Sequence, residues 1–395
     1  MHPKKFLPLF FLIVWFAARL GAAEEKTAVP FRAIAFEAAC AAAKTEGKLV
    51  FVDFYTTWCE PCKRLDQDTW TDAGVGKLVS DQAVPLKIDA EKEKDLATRY
   101  KINLYPTLLV VKADGTEVDR IEGYREPRAF TTAFTKVVAM AQAGKSGLEN
   151  AKDEVAKADA DEAQPRFDLA KKLSKAGSAP EALKELLWCW DEGKKDPEFV
   201  RTRSTQVARE LGVLARSYAP AKDAMIARRD DAHSRAVAGK GGTTVVQDLI
   251  ALNKELRADE DTLAVFDVMP EGDRRRVTIS IYLFDVFVEK QRYKDATLFN
   301  MPETTTMSLE RAKAQLKKGG GDGATASLLR YTIASTAKRV EALAGAGLLE
   351  QARDLAQKLL ELDASEETKA LLRTHATRAG HPEVLDAAPA AVPAK

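Results

Sequence analysis

Two cysteines, Cys59 and Cys62, lie three positions apart in the only Cys-x-x-Cys motif of this 395-residue chain. The motif follows an apolar, strand-like run, residues 49–55, and a helical segment begins directly after it. At a helix N-terminus, unpaired backbone N–H groups and the positive end of the helix dipole stabilise a thiolate, which is the attacking form of cysteine. This arrangement predicts thiol-disulfide chemistry, with Cys59 as the exposed nucleophile and Cys62 as the resolving thiol in the first helical turn.

The residues between and beside the two cysteines suit this chemistry. Pro61 fits the first turn of a helix, where its missing N–H costs nothing. Glu60 should raise the pKa of the Cys59 thiol, and Lys63 should lower it. The alternatives are a purely stabilising disulfide or a zinc site, but a lone Cys-x-x-Cys supplies only half of the four ligands of a structural zinc ion. The chain has no second pair, so we expect no metal; its other cysteines and its histidines are scattered, at Cys40, Cys189, His2, His233, His375 and His381.

A charged residue interrupts each of two apolar runs, Asp53 in the first and Lys87 in the second. A carboxylate on an apolar strand is costly unless it is paired or protonated, so the pKa of Asp53 should be raised, unless its side chain lies on the solvent face of the strand. With the cysteine pair, these residues make the stretch 36–141 resemble a thioredoxin domain. The resemblance implies that Asp53 accepts the proton of the resolving cysteine and that Lys87 accompanies it.

A proline follows a short turn and opens a third apolar run, residues 107–111. Read alone, it could be an ordinary trans proline at a strand edge. The thioredoxin resemblance implies instead a cis bond between Tyr105 and Pro106, opposite the cysteine pair, where the backbone would pair with an extended substrate segment. It also implies that Gly123 lies near the active surface. The predicted substrate-binding residues are therefore Trp58, Glu60, Pro61, Tyr105, Pro106 and Gly123.

Three departures from plain thioredoxin bear on the role. Tyr55 replaces the usual tryptophan, Glu-Pro replaces Gly-Pro between the cysteines, and Tyr105 replaces the usual isoleucine. The run 62–75 is more similar to the periplasmic thioredoxin domain of the transmembrane disulfide reductase. Cys-Glu-Pro-Cys also occurs in reductases of cytochrome c maturation, but their central insert is absent here. The resemblance implies a reducing or isomerising role, with no cofactor beyond the redox-active Cys59–Cys62 disulfide.

The N-terminus has the pattern of a secretory signal peptide, residues 1–23. Two lysines precede a 13-residue apolar core, residues 6–18, and small residues follow at a plausible cleavage point after Ala23. The core is shorter than the ~18 to 20 residues of a membrane span, so an uncleaved anchor is the weaker interpretation. Cleavage would remove Lys4, Lys5 and Arg19 and no acid, changing the formal charge from +1 to −2. We therefore expect an exported or periplasmic, soluble protein and no nucleic-acid partner.

The remainder of the chain, residues 148–385, is rich in Ala, Leu, Glu, Lys and Arg at helical spacing and predicts an all-α domain. A helical-hairpin signature recurs in it: an apolar residue, a turn residue four positions later, and an alanine five positions after that. Such hairpins are typical of tetratricopeptide-like repeats, whose concave surface binds polypeptides, but also of generic helical bundles. The three sets are Leu173/Gly177/Ala182, Phe287/Gln291/Ala296 and Leu343/Gly347/Ala352.

Several other features of this region lack catalytic character. The glycine-rich segments 239–242 and 317–323 are not phosphate-binding loops, because no Gly-Lys-Ser/Thr follows an apolar strand. Trp188 and Trp190 flank Cys189 on a predicted core helix. We expect Cys40 and Cys189 to be buried thiols, although an export compartment would permit a disulfide between the two domains.

The sequence thus predicts an α/β thioredoxin fold followed by an all-α helical-hairpin domain. Its predicted parts are a signal peptide (1–23), a thioredoxin-like domain (30–142), a linker (143–147), a helical domain (148–385) and a disordered tail (386–395). The predicted function is reduction or isomerisation of disulfides in client proteins, with electrons from a membrane donor. The alternatives are a dithiol oxidase of the same fold, and a helical protein-binding scaffold or chaperone with an accessory redox domain.

Overall fold

The computed structural model describes residues 27–299, 301–317 and 323–386. The predicted signal peptide and residues 387–395 of the predicted tail lie outside the described residues. The chain divides into two compact units after Gly147. Each unit is described below by itself.

The first unit is a four-stranded sheet in the order β2-β1-β3-β4 with helices on both faces. β1 pairs in parallel with β2 and antiparallel with β3, and β3 pairs antiparallel with β4. A π-helical turn, Leu65–Thr69, directly continues the helix that follows β1. The elements are α1 (Phe36–Glu46), β1 (Leu49–Tyr55), α2 (Glu60–Arg64), α3 (Ala73–Gln82), β2 (Ala83–Asp89), α4 (Lys94–Arg99), β3 (Thr107–Val111), β4 (Glu117–Glu122) and α5 (Pro127–Gln142).

The alternation of side chains along β1 explains how the sheet builds two cores. Successive residues of a strand point to opposite faces. Phe51 packs on the face covered by α3 and α5, with Trp70, Phe130 and Phe134 at ring-centroid distances of 5.8, 5.8 and 5.4 Å. The alternate residues of β1 face α1 and α4 and join the second core: Val50, Val52 and Phe54. Asp53 shares the face of Phe51, so β1 carries a carboxyl into an aromatic core.

The second unit is helical throughout the residues that the structure describes, as the sequence predicts. It has two apolar cores. One is formed by residues from the range 151–252, and the other by residues from the range 232–384. A π-helical turn, Arg203–Val207, joins α9 to α10. The helices are α6 (Gly147–Lys157), α7 (Ala163–Ala176), α8 (Ala179–Asp191), α9 (Val200–Thr202), α10 (Ala208–Ala215), α11 (Ala219–Val237), α12 (Gly242–Leu256), α13 (Asp259–Val268), α14 (Arg275–Tyr282), α15 (Phe284–Glu289), α16 (Tyr293–Ala296), α17 (Met301–Lys317), α18 (Gly323–Gly345), α19 (Leu349–Leu362) and α20 (Glu366–Arg378).

The three predicted hairpins are all present. Their turn residues adopt the left-handed conformation, with φ of 86° at Gly177, 56° at Gln291 and 81° at Gly347. In each, the residue after the turn position donates its N–H to the carbonyl of the preceding apolar residue, as in a Schellman motif. The flanking residues of every set are buried: Leu173, Ala182, Phe287, Ala296, Leu343 and Ala352. Whether the hairpins stack as tetratricopeptide-like repeats stays a prediction.

A fourth hairpin with the same spacing joins α12 to α13. Arg257 is its left-handed residue, with φ of 57°, and Ala258 N–H donates to the Asn253 carbonyl at 2.8 Å. The flanking positions are Asn253 and Thr262, both fully buried and joined by an Asn253 Nδ2–H to Thr262 Oγ1 hydrogen bond of 3.0 Å. This hairpin lacks the predicted signature of an apolar residue and an alanine, because a hydrogen-bonded polar pair fills the same space.

Exchanging residues at the hairpin turns should change stability in opposite directions. A non-glycine residue at positive φ is strained, whereas glycine adopts it freely. Gln291→Gly should stabilise the helical unit by about 1 kcal/mol, and Gly347→Ala, where nothing lies within 4 Å of an added Cβ, should destabilise it by about the same amount. Urea unfolding followed by helical circular dichroism checks both; a shift of equal sign for the two variants would contradict the turn assignment.

Candidate active site

The two cysteines form a disulfide at the start of α2, with Cα atoms 5.3 Å apart. Cys59 is the N-cap residue of the helix, and its Sγ accepts a hydrogen bond of 3.2 Å from Cys62 N–H. Pro61 occupies the first turn. When the disulfide is reduced, the same N–H group and the helix N-terminus are placed to stabilise a thiolate on Cys59.

The prediction that Cys59 is the exposed member of the pair is wrong for this disulfide state. Cys59 and Cys62 are each only 3% exposed. In the disulfide, the Cys59 sulfur is bonded to Cys62 in the first turn of α2, where it also accepts the Cys62 backbone N–H. The neighbouring residue, Trp58, is 63% exposed instead.

The two charged neighbours of the cysteines form an ion pair with each other. Lys63 Nζ donates to Glu60 Oε1 at 2.6 Å, and both side chains are at least half exposed. The two charges that should act on a Cys59 thiolate in opposite directions thus belong to one solvated ion pair.

Asp53 lies in the core beside the redox helix and is 1% exposed, so the solvent-face alternative is excluded. Burial raises the pKa of Asp53 to about 7; the positive charge of Lys87 opposes the rise, the charge of Asp66 adds to it, and a hydrogen bond from Trp70 opposes it. Trp70 Nε1–H donates to Oδ2 at 3.0 Å. The other oxygen, Oδ1, is buried and has no hydrogen-bond partner among the described residues. Near neutral pH this carboxyl can therefore take up or release a proton.

Lys87 is the neighbour of Asp53 across the sheet, in register on β2. Its Nζ forms an ion pair with Asp66 Oδ1, in the π-helical turn after α2, and lies 5.0 Å from the centroid of the Tyr55 ring. Sequence reasoning missed both Asp66 and Trp70 as site residues. A signal for Asp66 was available, because it follows Cys62 by four positions and so lies on the same face of the helical segment.

The rim of the site is formed by three loops. The Tyr105–Pro106 bond is cis, as the resemblance implies, and Gly123 N–H donates to the Pro106 carbonyl at 2.8 Å. The Trp58 ring meets the Tyr105 ring edge-on, with centroids 6.0 Å apart. Trp58 Nε1–H also donates to Glu91 Oε1 at 3.0 Å, a contact that the sequence did not indicate. The predicted substrate-binding residues Trp58, Tyr105, Pro106 and Gly123 thus connect through direct contacts.

A second set of contacts holds the loop after β4 against the redox helix. The Arg64 guanidinium lies 4.1 Å from the Tyr124 ring centroid, and Tyr124 O–H donates to Asp68 Oδ2 at 2.8 Å. Thr69 Oγ1–H donates to the Arg125 carbonyl at 2.6 Å. These contacts fix the two residues that follow Gly123 relative to the segment that carries Cys62.

The remaining cysteines lack the features of the redox pair. Both are free. Cys189 is buried, and burial raises the pKa of its thiol to about 12. Cys40 is half-buried rather than buried as predicted, because it lies toward the edge of the α1 face that packs on the sheet; burial also raises its pKa. Such thiols are poor nucleophiles. Within the described ranges, no group of three or more His, Cys, Asp or Glu side chains is arranged to hold a metal ion.

Removing the tryptophan hydrogen bond should raise the pKa of Asp53 further. The Trp70 indole N–H stabilises the carboxylate form, so Trp70→Phe should raise the Asp53 pKa by about one unit. Trp58→Phe is the matched control, since that indole donates to Glu91 instead. Titration of the Asp53 carboxyl ¹³C resonance checks the prediction; an unchanged or lowered pKa in Trp70→Phe would contradict it.

Residues 36–138 match the family model described as a thioredoxin-like domain. Thioredoxin H-type from Oryza sativa subsp. indica is 35% identical over 106 residues, covering 27% of this chain and 83% of that protein. Thioredoxin-1 from Drosophila melanogaster is 39% identical over 67 residues, covering 17% of this chain and 60% of that protein. Protein disulfide isomerase-like 2-2 from Oryza sativa subsp. japonica is 32% identical over 142 residues, covering 36% of this chain and 35% of that protein.

Among solved structures, this chain is similar to a thioredoxin from Thermus thermophilus, at 24% identity and a TM-score of 0.25. That match covers 27% of this chain and 85% of the other. It is also similar to the oxidised C-terminal domain of DsbD from Neisseria meningitidis, at 25% identity and a TM-score of 0.23, with 25% and 89% of the two chains covered.

Proposed function

Because this chain belongs to the thioredoxin family through its first unit, we propose that it is an exported thiol-disulfide oxidoreductase that reduces or rearranges disulfides of client proteins. The observation that carries the proposal is the Cys59–Cys62 disulfide at a helix N-terminus beside the buried carboxyl of Asp53. An oxidoreductase is also supported by the relatives, which are named as thioredoxins and disulfide isomerases.

In the reducing direction the reaction begins at Cys59. Its thiolate attacks one sulfur of a client disulfide, forming a Cys59–client mixed disulfide and releasing the first client thiolate. The Cys62 thiol gives its proton to the Asp53 carboxylate and attacks the Cys59 sulfur. The Cys59–client bond breaks, the second client thiolate leaves, and the Cys59–Cys62 disulfide forms. The client gains two electrons, and the protein loses two.

Isomerisation uses the same first step. If a third client cysteine attacks the client sulfur of the mixed disulfide before Cys62 attacks Cys59, the client leaves with a different disulfide and the protein stays reduced. The outcome depends on how quickly Cys62 loses its proton. Because the pKa of Asp53 is about 7, the fraction of this carboxyl that can accept the Cys62 proton changes most near neutral pH. The balance between reduction and isomerisation should change over the same pH range.

The rim supports binding of an extended client segment. The backbone at Tyr105 and Pro106 precedes β3, and an extended chain could pair there by strand addition while its cysteine lies at the disulfide. Trp58 offers a broad exposed ring for apolar client side chains.

Export, the electron donor and the helical unit complete the proposal. The signal-peptide pattern of residues 1–23 supports export, and an exported dithiol needs a membrane donor of electrons because glutathione does not maintain it there. The helical unit would hold clients or the donor. No helix in the described part of the chain is long and apolar enough to cross a membrane.

Insulin reduction tests the proposed function. The full mature chain, supplied with dithiothreitol, should accelerate insulin precipitation well above the dithiothreitol blank, and omission of residues 148–395 should leave this general activity while weakening capture of native clients. Insulin reduction at the blank rate by a folded, fully reducible protein would contradict the proposal.

A further inference from the structure

Lys87 lies between two carboxylates but pairs with only one of them. It is in register with Asp53 across β1 and β2, yet its Nζ forms an ion pair with Asp66. Within the described residues, no ion pair joins Lys87 to Asp53, and Oδ1 of Asp53 has no hydrogen-bond partner. A buried carboxyl beside an ammonium that is engaged elsewhere is an unusual arrangement, because direct pairing would satisfy both groups.

An open cavity of about 230 Å³ lies at this pair. Its walls are Asp66 and Lys87 on one side and the N-terminal segment of the unit, Thr27 and Phe31, on the other. That segment is anchored to the redox site, since Thr27 Oγ1–H donates to the Trp70 carbonyl at 3.0 Å and the Phe31 and Trp70 rings meet edge-on at 5.7 Å. The cavity is large and polar enough to hold water.

We propose that Asp66 is a positioning residue for proton transfer at Asp53: it holds the Lys87 ammonium at the wall of this cavity and so keeps it from pairing directly with Asp53. The inference rests on the proposed function, for which it names an additional residue. Asp66 touches neither client nor sulfur and acts through Lys87.

The arrangement accounts for how the proton is passed on. The Cys62 thiol transfers its proton to Asp53, which becomes neutral, and Cys62 forms a sulfur–sulfur bond with Cys59 as the client thiolate leaves. Asp53 then returns the proton to water, and Lys87 and Asp66, both partly exposed, line the open cavity beside it. If Lys87 paired directly with Asp53, it would hold the carboxyl ionised and make it a weaker base.

The test is the pH dependence of insulin reduction by Asp66→Asn in the full chain. Without its partner Asp66, Lys87 should pair with Asp53. The part of the pH–rate profile that reports ionisation of Asp53, its pH limb, should then move about one unit to lower pH. The maximal rate of insulin reduction, at the plateau of the profile, should fall about threefold. Asp66→Glu, which keeps the charge, should restore both. Asp81→Asn breaks a more exposed ion pair, with Lys77 on α3, and should leave both at the wild-type values.

The outcomes separate this inference from the proposed function. If the wild type reduces insulin and the Asp66→Asn limb stays at the wild-type pH, the positioning role is overturned. If the wild type fails to reduce insulin, the proposed function fails, and titration of the Asp53 carboxyl ¹³C resonance still decides the role of Asp66. A lower Asp53 pKa in Asp66→Asn, and not in Asp81→Asn, supports the inference; an unchanged or higher pKa overturns it.

Discussion

Cys59→Ser is expected to lower the rate of insulin reduction to that of the uncatalysed reaction, whereas Cys62→Ser is expected to accumulate mixed disulfides with clients. Cys59 is the N-cap residue whose sulfur accepts the Cys62 N–H, so its thiolate is the one that the helix N-terminus stabilises. A serine hydroxyl at this position has no comparable nucleophilicity. In Cys62→Ser the first step still occurs, but no thiol is present to resolve its product. Non-reducing electrophoresis and mass spectrometry check for the trapped species.

Cys40→Ser is the control for this pair of variants. Cys40 is a free thiol of the same unit whose pKa is raised by burial, so its loss should leave turnover at the wild-type rate. Full activity in both Cys59→Ser and Cys62→Ser would contradict the assigned chemistry. Trapping by Cys59→Ser instead of Cys62→Ser would reverse the two roles.

Asp53→Asn should stabilise the oxidised first unit above neutral pH. The pKa of Asp53 is about 7 in the folded protein, against 3.8 for an unperturbed group. At 1.36 kcal/mol per unit, ionising this carboxyl in the folded state costs about 4 kcal/mol of stability. Asparagine removes that cost but places an N–H₂ group where Oδ1 has no partner, a penalty of about 1–3 kcal/mol. The net gain at alkaline pH is therefore about 1–3 kcal/mol.

The sign of the effect depends on pH. Between about pH 4 and pH 7 the folded protein keeps a proton on Asp53 that the unfolded chain has lost, so unfolding releases a proton and wild-type stability falls as the pH rises. Above about pH 7 both states are ionised, and the difference is constant. Asp53→Asn should thus be less stable than the wild type near pH 4, by the penalty of about 1–3 kcal/mol for its unpartnered N–H₂ group, and more stable than the wild type near pH 8. Hydrogen exchange of the buried β1 amides measures the opening of this unit alone.

Although Asp53→Asn should stabilise the unit at alkaline pH, it should slow catalysis. Asparagine cannot accept the Cys62 proton, so Asp53→Asn should slow resolution of the mixed disulfide by about a hundredfold at neutral pH. A variant that is less stable than the wild type at pH 8, or as fast in resolution, would contradict the role of Asp53. Asp81→Asn again serves as control, because its carboxylate is exposed and pairs with Lys77.

Features fixed by short stretches of sequence were predictable. Asp53 was identified because a lone carboxylate in an apolar run has few stable environments, and the structure places it in an aromatic core. The hairpins around Gly177, Gln291 and Gly347 were identified because a left-handed turn and a close helix crossing impose residue types at fixed spacing. Local constraints of this kind can be recognised in the sequence without knowledge of the fold.

Features that depend on contacts between distant segments were not predictable. Trp70 reaches Asp53 and Lys87 reaches Asp66 only after β1, β2 and the π-helical turn have come together. Cys59 is buried in the disulfide, which its place at the start of a helix did not indicate. The hairpin at Arg257 was not predictable from the same signature. A hydrogen-bonded polar pair, Asn253 and Thr262, occupies the buried positions that an apolar residue and an alanine occupy in the other three hairpins.

The equilibrium reduction potential of the Cys59–Cys62 couple in the full chain tests the central claim most directly. A thiol-disulfide reductase is expected to equilibrate near the value of thioredoxin, about −270 mV, and to need a continuous supply of electrons in an exported location. A value near about −120 mV, typical of a strong oxidant, would contradict the reducing direction and make the protein a dithiol oxidase of the same fold.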